Sequence, residues 1–257
     1  MRVLIARMGV MLSNRQEQLL DFIVREYVKT AEPVGSAVVS RKAIFDASSA
    51  TVRNEMQALE EAGLIYQPHT SAGRIPTDKG YRWFVNRLVN TGHYDVDPRA
   101  KRKIDEAISD AGDDPRGLSR NAAQALQELS ESLVIANVER SNDFYKTGLS
   151  SLMEFPEFRE FNRMFQLADF FDHFDNMFER MEREFFHENS AMENFNILIG
   201  RENPLRNIQD ETVIVVRHRL PHGNIGTLTI IGPTRMDYRK NIGLARYASE
   251  ALDKASE

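Results

Sequence analysis

The stretch SATVRNEMQALEEAGLIYQPHTSAGRIPTDKGY, residues 49–81, decides the fold of the N-terminal third of the chain. Val52, Met56 and Leu59 recur at helical spacing and Gly63 closes the pattern, which predicts a helix with one apolar stripe. Steps of about 100° per residue turn Arg53, Asn54 and Gln57 to the opposite face, with Ser49 and Thr51 in the first turn. Ser48 or Ser49 is the expected cap. LIYQPH and RIPT then read as two extended segments around the small-residue turn TSAG, a hairpin whose narrow tip carries Arg74. Pro76 donates no ladder hydrogen bond and suits an edge strand.

Upstream, Leu19, Leu20, Phe22, Ile23, Tyr27 and Val28 predict a first helix from Asn14, ended by Pro33 and Gly35. SAVVSRKAIF predicts a short second helix with Ser36 as its N-cap. Downstream, DKGYRWFVNRLV resumes helical spacing. Helix, short helix, polar-faced helix and hairpin is the order of a winged helix-turn-helix, a module that places its third helix in the DNA major groove. On that reading Arg53, Asn54 and Gln57 face base edges, because Arg pairs with guanine and Asn or Gln with adenine in a bidentate manner. Ser49 and Thr51 sit where a helix N-terminus favours phosphate. His69, Thr70, Ser71, Arg74 and Lys79 belong to the wing and its flank. The bland alternative is a solvated polar face, and a winged helix serving only protein contacts would carry an acidic or apolar third helix instead.

Residues 1–90 hold 12 Lys and Arg against 9 Asp and Glu, a formal +3, leaving 21 against 29, a formal −8, for the rest. A mildly basic head on an acidic body suits a head that touches polyanions. The division expected is a DNA-binding domain over 1–90, a linker and helix over 91–116, and a regulatory domain over 117–257. In that body, two helical stretches and the apolar run LVIANV precede a helical pattern from Pro156 to about Asn189. Phe158, Phe161, Phe165, Ala168, Phe171 and Phe174 step by three or four there, predicting one buried stripe. FNILIG, ETVIVVRHRL and GNIGTLTIIG read as strands. The fold class expected is therefore α+β.

The 257 residues contain no cysteine, which excludes disulfides and thiolate chemistry. No apolar run reaches the roughly 20 residues of a membrane span, so a cytoplasmic protein without membrane contact is expected, with Met11 an alternative start. Asp169, Asp172, His173 and Asp175 lack the pattern of a metal site, and His218 and His222 read as strand or turn surface. No nucleophile–base set stands out, so neither an enzyme nor a cofactor is expected.

The run from Ser48 to Arg82 resembles the signature of the heat-inducible transcription repressor HrcA family, as do EPVGS, GLSSLMEFPEF and IGPTRMDY. The resemblance implies a homodimeric repressor with an N-terminal winged helix and a GAF-like body. It further implies an inverted-repeat operator on double-stranded DNA, the CIRCE element, and the GroEL chaperonin as co-regulator. The chain departs from the family between its two halves, where SLVIANVERSNDFYKTGLSSL replaces a long segment. A sheet reduced to three or four strands is the consequence expected, with the Phe-rich helix as its cover or as a dimer interface. The competing function is a metabolite-sensing regulator with a pocket in that body.

Overall fold

The computed structural model describes residues 11–42, 48–94, 96–139, 144–172 and 194–257, and the chain divides into two compact units, Met1–His93 and Tyr94–Glu257. In the first, α1 (Asn14–Thr30) is opened by Ser13, whose hydroxyl accepts from the Gln16 amide while the Gln16 side chain accepts from Ser13. This capping box satisfies two amides that a helix start otherwise leaves unpaired. Leu19, Leu20, Ile23 and Val24 are its buried face. α2 spans Ser36–Arg41, and the remainder of its sequence-predicted extent, from residue 43, lies outside the described residues.

Ser36 is not the cap of α2 but its first helical residue; Gly35 caps it in an extended conformation. The cause lies 39 residues on, where the Val34 amide donates to the Arg74 carbonyl and the Arg74 amide donates back, both at 2.9 Å. That bridge holds Val34 and Gly35 extended and shifts the helix start. α3 (Ser49–Glu61) begins at the Ser48 cap and buries Val52, Met56 and Leu59, as their spacing requires. β1 (Ile65–Tyr66) and β2 (Ile75–Pro76) pair antiparallel, Ile65 opposite Pro76. α4 (Asp78–Thr91) follows from the Thr77 cap.

The second unit mixes helix and sheet. α5 (Pro98–Ser109) and α6 (Pro115–Ser130) each start with an aspartate cap followed by proline, Asp97 and Asp114, a combination favoured because proline at the first helical position has no amide to leave unpaired. β3 (Leu133–Val138), β4 (Phe144–Thr147), α7 (Leu149–Glu154), α8 (Phe161–Asp172), β5 (Phe195–Ile199), β6 (Glu211–Leu220), β7 (Asn224–Pro233) and α9 (Tyr238–Ala255) complete it. The strands form one sheet in the order β4-β3-β7-β6-β5, every neighbouring pair antiparallel. α6 and α9 pack against the sheet. Leu133, Ile135, Val213, Val215 and Ile231 meet Leu152, Phe158, Phe170 and Ile208 in a continuous apolar cluster.

Three expectations change here. Among the described residues the sheet has five strands, because FYKT, half-buried along its whole length with no in–out alternation, is strand β4 at the edge. The long aromatic helix does not run from Pro156: a 3-10 turn covers Pro156–Arg159, Glu160 is extended, and α8 begins at Phe161. That break resets the helical phase, so Phe158 and Phe170 are buried while Phe161 is 73% and Phe165 66% exposed. Phe174 and the later aromatics of that pattern lie outside the described residues. His218 is buried rather than on the surface, because β6 is an inner strand of the sheet, and burial pushes its imidazole down to about 3.

Candidate functional site

Arg53, Asn54 and Gln57 are exposed along one side of α3, opposite the buried Val52, Met56 and Leu59. The Arg53 Nε donates to the Ser36 Oγ at 3.3 Å, and the same hydroxyl lies 3.4 Å from the Ser49 Oγ. The start of α2 thus steadies the arginine, which stays exposed. The Gln57 amide nitrogen donates to the Glu61 carboxylate at 3.0 Å. Ser49 is exposed, whereas Thr51 is half-buried and engaged with the helix cap: its amide donates to the Ser48 hydroxyl at 3.2 Å, and the two hydroxyls are 3.0 Å apart.

The hairpin tip stands across a groove of about 840 Å³ lined by Ser36, Arg53, Gln57, Glu60, Thr70 and Arg74 among others. Its turn closes with the Ala72 amide on the His69 carbonyl at 2.9 Å. His69, Thr70 and Ser71 are exposed, and the Ser71 hydroxyl lies 3.3 Å from the His69 Nδ1. Lys79 is exposed in the first turn of α4. Gly73 is needed for contact as well as for a slim tip, because a Cβ there would lie 2.4 Å from the Val34 carbonyl carbon.

Arg74 departs from the rest of the sequence-predicted set. Its Nε and terminal nitrogen both lie 2.9 Å from the Glu60 Oε2, and its side chain is only 20% exposed. The other Glu60 oxygen accepts from the Gln67 amide at 3.2 Å. The Gln67 side-chain nitrogen in turn reaches the Thr70 carbonyl at 3.0 Å and the Ala72 carbonyl at 2.9 Å, tying the tip from inside. Sequence reasoning missed Glu60 and Gln67. The only available signal was an opposite-charge pair 14 residues apart, which no local period reveals.

Among the described residues no group of three or more His, Cys, Asp or Glu is placed to hold a metal, and no helix is long and apolar enough to cross a membrane. Asp169, one of the residues weighed for such a role, accepts from the Asn207 side chain instead.

The family model described as the HrcA protein C terminal domain matches residues 82–242. A heat-inducible transcription repressor HrcA of Cyanothece sp. is 40% identical over 52% of this chain and 36% of its own length. The HrcA of Acetivibrio thermocellus is 56% identical over 30% of this chain and 22% of its own length. The chain thus spans well under two thirds of these relatives. The HrcA of Thermoanaerobacter sp. is 26% identical over 90% of this chain and 93% of its own length. That alignment has 326 positions, more than the chain's 257 residues, so the relative carries residues without counterpart here. The crystal structure of a hypothetical protein shares the fold at a TM-score of 0.75 and 21% identity, covering 95% of this chain and 98% of that one.

Proposed function

The chain belongs to the HrcA family, and from that premise we propose that it is a heat-inducible transcription repressor that binds an inverted-repeat operator as a homodimer. The first unit is the winged helix-turn-helix: α3 enters the major groove and the hairpin is the wing. Arg53, Asn54 and Gln57 read base edges. Ser49, with Thr51 ordering the first turn behind it, meets phosphate, and His69, Thr70, Ser71 and Lys79 follow the backbone on the wing side. Arg74 holds the wing. The second unit is a reduced form of the family's GAF-like body and supplies the dimer contact.

The observation that carries the reading is the placement of exposed Arg53, Asn54 and Gln57 on one side of α3, across a groove from a hairpin with a small-residue tip. A face that was merely solvated would need neither the ordered arginine nor the braced hairpin. A bound dimer represses by excluding polymerase, and heat relieves it by depleting the active dimer, with a GroEL-type chaperonin restoring that form.

Fluorescence anisotropy against the full repeat, a single half-site and a scrambled duplex, at two salt concentrations, tests it. Selective binding of the repeat that Arg53→Ala removes is the expected result. Equal binding of repeat and scramble with a steep salt dependence would mean that the head has phosphate affinity alone.

A further inference from the structure

A carboxylate at the heart of a DNA-reading surface is out of place electrostatically, since it faces a polyanion. Glu60 nevertheless lines the groove between α3 and the hairpin, one turn beyond Gln57 on the same helix. Its two oxygens hold both arms of the hairpin: Oε2 takes the Arg74 guanidinium on the returning arm, and Oε1 takes the Gln67 amide on the outgoing one. Gln67 then fixes the tip through the Thr70 and Ala72 carbonyls. The outer end of the returning arm is closed by the two-way Val34–Arg74 bridge, with Gly73 packed on Val34. The segment 67–74 is thus referred at both ends to one side chain of the helix that carries Arg53, Asn54 and Gln57.

We infer that Glu60 is a positioning residue for operator recognition, which sets the distance between the reading face of α3 and the hairpin tip through Arg74 and Gln67. The inference rests on the DNA-binding reading above and deepens it. Arg74, the sole arginine of the hairpin, acts through Glu60 and not on a phosphate. A reading surface has to be held by supporting side chains within a fraction of an ångström, and a two-armed carboxylate does so at both strands together.

A double-mutant cycle separates this from the obvious alternative, that Arg74 grips DNA and Glu60 merely restrains it. Glu60→Ala, Arg74→Ala and the double variant are titrated by anisotropy against repeat and scrambled duplexes over a salt series. Amide hydrogen exchange of residues 67–74 is measured on the DNA-free proteins, with thermal unfolding to confirm that each is folded. The expected result is a loss of repeat-over-scramble selectivity of about tenfold in Arg74→Ala and at least as large in Glu60→Ala, no loss in the double beyond that of Glu60→Ala, and an unchanged salt slope. Exchange at the tip should rise in all three, and Glu60→Gln, which keeps one of the two acceptor oxygens, should recover part of the selectivity.

Two results overturn the inference: a salt slope reduced by about one in Arg74→Ala with tighter binding by Glu60→Ala, or tip exchange and selectivity that Glu60→Ala leaves unchanged. If the unmutated protein shows no repeat selectivity, the DNA-binding reading fails, and the inference, as a statement about operator recognition, fails with it. Tip exchange then separately reports whether the brace exists.

Discussion

A Cβ added to Gly80 would lie 2.1 Å from the carbonyl oxygen of Leu64, the oxygen that already accepts from the Thr77 amide at 3.0 Å. Alanine in place of a helical glycine ordinarily stabilises by up to about 1 kcal/mol. Here the contact is with backbone, which cannot turn aside, so the clash wins and Gly80→Ala should destabilise the first unit by about 1–3 kcal/mol in denaturant unfolding. Glu211 supplies a second test. Burial raises its carboxyl to about 7, opposed by Arg163 and reinforced by Asp210 and Glu157. An acid whose folded pKa is raised gives its full stability below its unfolded value near 4.5 and loses it as pH rises through the folded value. The protein should therefore lose about 3 kcal/mol between pH 4.5 and pH 8 that Glu211→Gln does not lose, read as the difference between the two unfolding curves across that range.

The elements divide into those whose residues announce them and those fixed by distant partners. α3 was legible because Val52, Met56 and Leu59 mark a face by local period alone. The start of α2 was not, because Gly35 caps it only once Val34 is bridged to Arg74. β4 escaped notice because Phe144–Thr147 is half-buried throughout and carries no alternation. The aromatic run misled for a related reason: its spacing was helical, but the extended Glu160 breaks the phase. Burial then falls on Phe170, inside the cluster with Leu152 and Val213, and not on Phe161 or Phe165. Phe170→Ala should accordingly cost about 3–5 kcal/mol, and Phe161→Ala under about 0.5 kcal/mol, in chemical unfolding of the full chain. Equal costs at the two positions would restore the continuous stripe that the sequence suggested.

For the molecule as a whole, the proposed repressor reading requires two heads acting together for selectivity. On that reading one head would contact only a few base pairs, and the net charge of −5 provides little indiscriminate attraction to DNA to help it. If two chains join through their bodies, binding of the first head presents the second at a local concentration in the millimolar range, and the repeat gains over the half-site without any new contact. That gain depends on both half-sites facing the same side of the duplex. Inserting about five base pairs between them, half a helical turn, should lower affinity by about a hundredfold, nearly to that of the half-site, while each half-site sequence stays intact. Dilution below the dimer's dissociation constant should erase the same advantage on the unaltered repeat. If instead the insertion changes nothing at any protein concentration, the heads of this chain bind independently and the dimeric reading fails.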